Sequence, residues 1–321
     1  MSRNLDFDPF PLFEDPHHQA VVNSFCNFML EPRSTQKIVR LSDGDSISLE
    51  VTTPISWKPT DMTVLMIHGL CGSHRSANLI RMAKRLEPLG VRAIRFNMRG
   101  CGSGRGLSKH IYHSGRSEDL FAAIQAIKKE TPDSPIVLIG FSLGGNIALK
   151  LVGELGEMAP SFLKQVIAVS PPVDLYSSIL MLGDPANAVY ERYFYRHLRA
   201  DVYYLHKMFK DLPPIKLPKK LKIYEFDQIY TAPTCGFRSV NDYYDRCSSL
   251  PLIPNIQVPC TILLSEDDPI VSSNSLDQSD LPSHIDLVKT KKGGHMGYVG
   301  NPRDENGFYW LDSILLKWIG L

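Results

Sequence analysis

The stretch "IVLIGFSLGGNIALK" (residues 136–150) decides how this chain is read. An aliphatic run leads into Gly140-Phe141-Ser142-Leu143-Gly144, and an apolar helical pattern resumes behind it. A buried strand packs better when it ends on a large apolar side chain, so a serine held between glycines needs another reason. Turning from strand to helix at one residue forces unusual backbone angles, and side chains two positions to either side would collide. Glycine at 140 and 144 removes that clash. The serine oxygen is then exposed at a helix N-terminus, where the helix dipole and free N–H groups favour developing negative charge.

A serine hydroxyl is a poor nucleophile unless a histidine removes its proton and a carboxylate orients that histidine. Both partners lie downstream. "TILLSEDDPIV" (261–271) reads as a strand that breaks into acidic residues and a proline, so a carboxylate emerges at a strand end. "KKGGHMGYVG" (291–300) presents His295 in a glycine-flanked loop. Asp267 and Asp268 compete for the acid role. With Ser265 as the strand-ending small residue and Pro269 following, the spacing selects Asp268, leaving Asp267 to cap the turn or buttress the loop. A tetrahedral intermediate also needs oxyanion donors. The backbone N–H groups of Leu143, just after the serine, and of Leu70, in "IHGLCGS" (67–73), are the candidates. His68 is read as shaping that loop, and Cys71 as a packed small residue.

The bulk numbers exclude several other classes. A composition of 43% hydrophobic and 21% charged residues is that of an ordinary globular protein. A formal net charge of +1 gives no global field toward nucleic acid, and no basic arm with interleaved aromatics is present. The opening "MSRNLDFDPFPLFEDPHH" is acidic where a secretion signal is basic, and no window reaches the apolar length of a spanning helix. The expected address is the cytoplasm. Six scattered cysteines (26, 71, 101, 235, 247 and 260) form no CxxC pair, so they read as free thiols, neither zinc ligands nor a disulfide frame.

Along the chain, apolar runs at 64–69, 92–97, 136–142, 165–170, 261–267 and 284–290 alternate with helical patterns, as in a mainly parallel sheet covered on both faces. Residues 37–51 predict a hairpin around Asp43-Gly44. Leu79, Met82, Ala83 and Leu86 form one helical stripe, and Leu311, Ile314, Leu315 and Trp318 another. Ser117 is the expected N-cap of a helix ending at Lys128 and Lys129. From about 175 to 250 the rhythm breaks. Dense aromatics there, with a helical pattern over 190–209, predict a helical cap inserted into a single domain spanning 1–321, preceded by an N-terminal extension to about residue 36.

Other motifs carry less. "RGCGSGRG" (99–106) fits neither nucleotide-binding glycine pattern and reads as a flexible turn. His206 and Asp211 form an H-x-x-x-x-D pair at its chance frequency. "KLPKKLK" (216–222) is short and proline-broken, and reads as a solvated turn of the lid.

With these residues in place, the chain resembles the YheT-like branch of the α/β-hydrolase superfamily, in which serine, acid and histidine follow one another in this order. "FNMRGCGSGRG" (96–106), "YHSGRSEDL" (112–120) and "YEFDQIYTAPTCGFRSVNDYYDRCSS" (224–249) are similar to its arginine-glycine loop, its Tyr-His-x-Gly segment and its cap motif. "DPHHQAVV" (15–22) is similar to its His-x-Gln-Thr segment, with Ala20 in place of threonine. The similarity spans roughly residues 9 to 310. It implies an α/β-hydrolase fold, a triad of Ser142, Asp268 and His295, and ester hydrolysis with neither metal nor organic cofactor. The expected function is a serine carboxylic ester hydrolase working through an acyl-enzyme, with a small or lipid-like ester as partner. The alternatives are a lipid acyl hydrolase or acyltransferase and, from another class, a non-catalytic ligand-binding protein.

Overall fold

The computed structural model describes residues 3–25, 30–277 and 281–321; Cys26 lies outside them. Among the described residues nine strands form one sheet: β1 (Arg3–Asn4), β2 (Thr35–Arg40), β3 (Ser46–Thr52), β4 (Thr63–Ile67), β5 (Arg92–Asn97), β6 (Ile136–Phe141), β7 (Gln165–Val169), β8 (Cys260–Ser265) and β9 (Ile285–Thr290). Their spatial order is β1-β9-β8-β7-β6-β4-β5-β3-β2. β4 to β9 and the short β1 pair in parallel, while β3 runs antiparallel to β5 and to β2. The main helices are α1 (Pro16–Phe25), α2 (Ala77–Leu86), α3 (Ser117–Glu130), α4 (Leu143–Leu155), α5 (Leu175–Leu182), α6 (Ala188–Met208), α7 (Val240–Cys247) and α8 (Trp310–Trp318).

The continuous apolar runs follow from burial of both sheet faces. Successive strand side chains point to opposite sides. Val64, Met66 and Ile139 therefore pack with the α2 stripe and with Leu311, Ile314 and Leu315 of α8. Leu65, Ile67 and Leu138 pack on the other side with α3, α4 and residues of the segment between β7 and β8. That segment holds α5, α6, a helical run over 223–234 containing a π-helical turn at Asp227–Thr231, and α7. It is bound together by aromatic contacts such as Phe226 on Tyr230 and Tyr243 against Tyr244, with ring centroids 5.6 and 5.1 Å apart. No described helix is long and apolar enough to cross a membrane.

Three local expectations change, and one strand is added. The hairpin forms with Arg40 opposite Ser46, one pairing further closed by the Leu41 N–H on the Asp45 carbonyl, so its loop is longer than a two-residue turn. Ser117 is the first helical residue of α3, and its hydroxyl donates to Glu154 instead of capping. β1, too short to show a pattern, adds an edge strand beside β9. The loop from Arg99 is anchored, not a flexible turn. The buried Arg99 guanidinium grips Asp119 through two bonds of 2.6 Å and also reaches Asp43 and Asp45 of the hairpin loop. Glycines signal conformational freedom in a sequence, but an arginine in a carboxylate cage removes it.

A second buried charge pair joins the two ends of the sheet-covering layer. Arg81 of α2 donates from Nε to Asp312 of α8 at 2.8 Å, and both side chains are at most 1% exposed. Asp312→Ala leaves that guanidinium buried without its counter-charge and is expected to lower stability by about 3–5 kcal/mol. A urea midpoint close to that of the parent protein would refute this role.

Candidate active site

The serine sits where β6 gives way to α4. Ser142 has φ 51° and ψ −121°, a strained conformation for a residue with a side chain, and its N–H donates to the Val169 carbonyl at 2.8 Å. The flanking glycines are required by contact. A Cβ at Gly140 would lie 2.4 Å from the Gly144 carbonyl oxygen, and one at Gly144 would lie 2.6 Å from the carbonyls of Ile67 and His68. α4 thus begins in direct contact with the end of β4.

Two loops bring the partners to this point. Asp268 follows β8, and His295 lies in the loop after β9. His295 Nε2 is 2.8 Å from Ser142 Oγ, and His295 Nδ1 is 2.8 Å from Asp268 Oδ2. A carboxylate only accepts, so Nδ1 carries the proton and the bare Nε2 faces the hydroxyl. Asp268 Oδ1 accepts the N–H groups of Ile270 and Val271 at 2.8 and 3.0 Å, which fixes the carboxylate plane. Asp267 points elsewhere. It accepts from the Ser265 hydroxyl and from the Gly294 N–H at 2.8 Å, and so buttresses the histidine loop.

The Leu143 and Leu70 amides make no hydrogen bond among the described residues, and both residues line the cavity beside Ser142. The loop carrying Leu70 is held by His68, whose Nδ1 lies 2.8 Å from the Gly69 carbonyl and whose Nε2 accepts the Met98 N–H at 3.2 Å. Burial pushes the His68 pKa down to about 4. Next to it, Tyr112 accepts the Cys71 N–H at 3.0 Å, and burial pushes the Cys71 thiol up to about 12. Cys71 is therefore unsuited to thiolate chemistry.

Sequence reasoning assigned no role to the segment that holds the histidine loop. The fully buried Gln19 of α1 donates to the Val299 carbonyl at 3.1 Å and accepts the Val299 N–H at 2.6 Å. Asn23 donates to the carbonyl of Met296, the residue after His295, at 2.8 Å. This clamp holds a loop in which Gly293, Gly294, Met296 and Tyr298 all have positive φ. The spaced polar residues in "DPHHQAVV" were the available signal, but one chain shows no partner across nearly 280 residues. Ala20, where the resembling segment has threonine, sits between the two clamping residues.

Above the serine lies a cavity of about 1200 Å³, counting its open mouth. Ser142, Leu143, Leu70 and His295 line one wall, and Leu175, Phe194, Leu198, Val202, Leu205 and Phe226 line the cap side. Its lining is mainly apolar. Asp227, also on the wall, accepts from the Tyr244 hydroxyl at 2.9 Å, and burial raises its pKa to about 6. His206 and Asp211 do not pair with each other. His206 bonds the Pro213 carbonyl and Tyr230, and Asp211 pairs with Lys109. Asp43, Asp45 and His110 could in principle surround a cation, but the Arg99 guanidinium already occupies both carboxylates.

Two measurements probe this arrangement. Gln19→Ala should speed hydrogen exchange at the Val299 amide about five- to tenfold, the loss expected for one hydrogen bond; unchanged exchange would show that the clamp is idle. For His68, the unfolded imidazole takes up a proton near pH 6.5 and the folded one only near pH 4. Folding stability therefore falls as pH drops through that window, by about 3 kcal/mol in all. His68→Asn should flatten that limb of the stability curve; an equally steep loss in the variant counts against the assignment.

The family described as alpha/beta hydrolase fold matches residues 63–302. YheT of Escherichia coli strain K12 is 26% identical over 322 residues, which cover 99% of this chain and 94% of that one. The human phospholipase ABHD3 is 26% identical over 312 residues, covering 94% of this chain and 75% of its own. Among solved structures, the esterase Pf2001 of Pyrococcus furiosus shares the fold with a TM-score of 0.57 at 18% identity, covering 89% of this chain and 92% of that one. The family match runs from β4 through the loop that carries His295 and takes in the parallel strands from β4 to β9, so the chain belongs to the α/β-hydrolase fold family.

Proposed function

We propose that the chain is a serine ester hydrolase with Ser142 as nucleophile, His295 as general base and acid, and Asp268 as the orienting carboxylate. The observation that carries this reading is the unbroken series Ser142–His295–Asp268, two contacts of 2.8 Å on a strained strand-to-helix turn. In the first step Ser142 Oγ bonds to the acyl carbon while its proton passes to His295 Nε2. The carbonyl electron pair moves onto oxygen, where the N–H groups of Leu143 and Leu70 receive it. Collapse expels the alcohol, which takes the proton from Nε2, and leaves an acyl-serine. Water then attacks under the same base, releasing the carboxylic acid and restoring Ser142.

The cavity narrows the substrate class. A chamber walled mainly by apolar side chains such as Leu175, Phe194, Val202 and Phe226 suits an apolar acyl chain, whereas a carboxylate or sugar lying along those residues would be desolvated with few partners. This supports esters of medium or long acyl groups, including lipid acyl esters, over small polar ones. Similarity to a protein named a phospholipase points the same way. A non-catalytic binding protein would have no use for a strained serine hydrogen-bonded to a base.

Labelling with a fluorophosphonate should modify the parent protein and not Ser142→Ala; an unlabelled parent would leave the binding-protein reading. Asp268→Asn should lower kcat about 10⁴-fold with little change in folding stability, because the amide holds the wrong tautomer. On p-nitrophenyl esters, kcat/KM should rise up to about fourfold per added methylene until the cavity is full. A flat or falling series would remove the apolar-chain assignment while leaving the triad standing.

A further inference from the structure

We infer that the outer face of the cap is a docking surface for an anionic lipid bilayer. The starting point is the two-sidedness of α6. Phe194, Leu198, Val202 and Leu205 line the cavity above Ser142. Half a turn away, Val189, Arg192, Tyr193, Arg196 and Lys207 recur at helical spacing, and all five are exposed. Val189 and Tyr193 are 66% and 48% exposed, with Met208 at 50% on the flank. A helix whose inner side bounds an acyl-sized chamber thus shows solvent a stripe of mixed basic and apolar residues, the composition of an interfacial helix.

The lysine-rich turn completes this face. Lys216, Lys219 and Lys220 are exposed, while the intervening Leu217 is buried. The turn is fastened to α6: the Tyr195 hydroxyl donates to the Pro218 carbonyl at 2.5 Å, and Tyr203 accepts the Leu217 N–H at 3.0 Å. Its lysines are therefore held beside the basic stripe.

Charge makes the face selective. Between Arg192 and Lys222 there are nine lysines and arginines against two acidic residues, in a chain whose net charge is only +1. Both acids are engaged elsewhere. Asp201 pairs with Arg105 and Asp211 with Lys109, both on the loop anchored by Arg99. Among the described residues, none of Arg196, Lys207, Lys210, Lys216, Lys219 and Lys220 forms an ion pair with an acidic side chain. Clustered lysines and arginines are drawn to anionic headgroups, and tyrosine and aliphatic side chains settle at the headgroup–acyl boundary. A nucleic acid would satisfy the charge but not the exposed Val189, Tyr193 and Met208. A bilayer satisfies both, and it holds the acyl esters that the proposed function requires.

This inference extends the lipid-ester reading and is tested apart from it. The full chain is sedimented with phosphatidylcholine vesicles, with and without phosphatidylserine, at low and high salt. The expected result is binding to the phosphatidylserine vesicles alone, weakened at least tenfold at high salt by screening. K207E/K216E/K219E/K220E should lose that binding yet hydrolyse a soluble short-chain p-nitrophenyl ester at the parent rate, which also reports that it folds. The milder K216Q/K219Q/K220Q should bind with intermediate strength. Equal partition onto neutral and anionic vesicles, undiminished binding by the charge-reversed variant, or binding to duplex nucleic acid without binding to vesicles overturns the inference. Vesicle binding by a parent protein with no soluble-ester activity would sink the hydrolase reading and leave the docking surface intact.

Discussion

The fold depends on the close approach of α4 to the end of β4. A helix that begins one residue after its strand must reverse within van der Waals contact of its neighbour, and here the gap admits only hydrogen at positions 140 and 144. The strain concentrates on Ser142, whose positive φ is held by the Val169 carbonyl on one side and the first turn of α4 on the other. A residue in that conformation is stable only when surrounding packing over-determines it. The fully buried strands β4 and β6 and the apolar α4 supply that packing. The presentation of the half-buried hydroxyl to the cavity is thus a consequence of how strand and helix meet.

The partners of the serine are set by less regular means. β8 and β9 lie side by side in parallel, so the loops leaving their ends emerge on the same edge of the sheet. Parallel pairing brings Asp268 and His295 near each other, but it does not aim the imidazole. Asp268 holds the ring through Nδ1, and the loop that carries it is held by polar contacts from three directions: Asp267 on the Gly294 amide, Gln19 on Val299, and Asn23 on the Met296 carbonyl. Asn23 is itself bonded to Arg81, whose counter-ion Asp312 lies on α8. The N-terminal segment and the C-terminal helix therefore meet behind the histidine, each stabilising a loop with four residues at positive φ.

On the open side, the cavity is built between a rigid floor and a cap with its own aromatic packing. Arg99 and its three carboxylates fix the loop at one margin, while α6 closes the top and carries charge on its far side. Between cap and loop, exposed ion pairs such as Arg105–Asp201, weak in water, sit beside further contacts: the buried Ser114 hydroxyl lies 2.7 Å from the Tyr243 hydroxyl, and the Arg105 guanidinium stacks 3.9 Å over the Tyr204 ring.

Much of this was legible in one chain. Gly140-Phe141-Ser142-Leu143-Gly144, the run of apolar strands and the stripes on α2 and α8 are local patterns, and local sterics and burial decide them. That Asp268, and not Asp267, would face His295 was legible from spacing, because a strand's end and the following proline limit where the carboxylate falls. The role of Gln19, the anchoring of the Arg99 loop and the pairing of β1 with β9 were not. Each depends on contacts between residues far apart in the chain, which periodicity cannot report. Local backbone chemistry, written residue by residue, determined the elbow and the layers; only the tertiary structure decided which polar groups face each other across them, because hydrogen bonds and ion pairs reach a few ångströms in space whatever the distance along the chain.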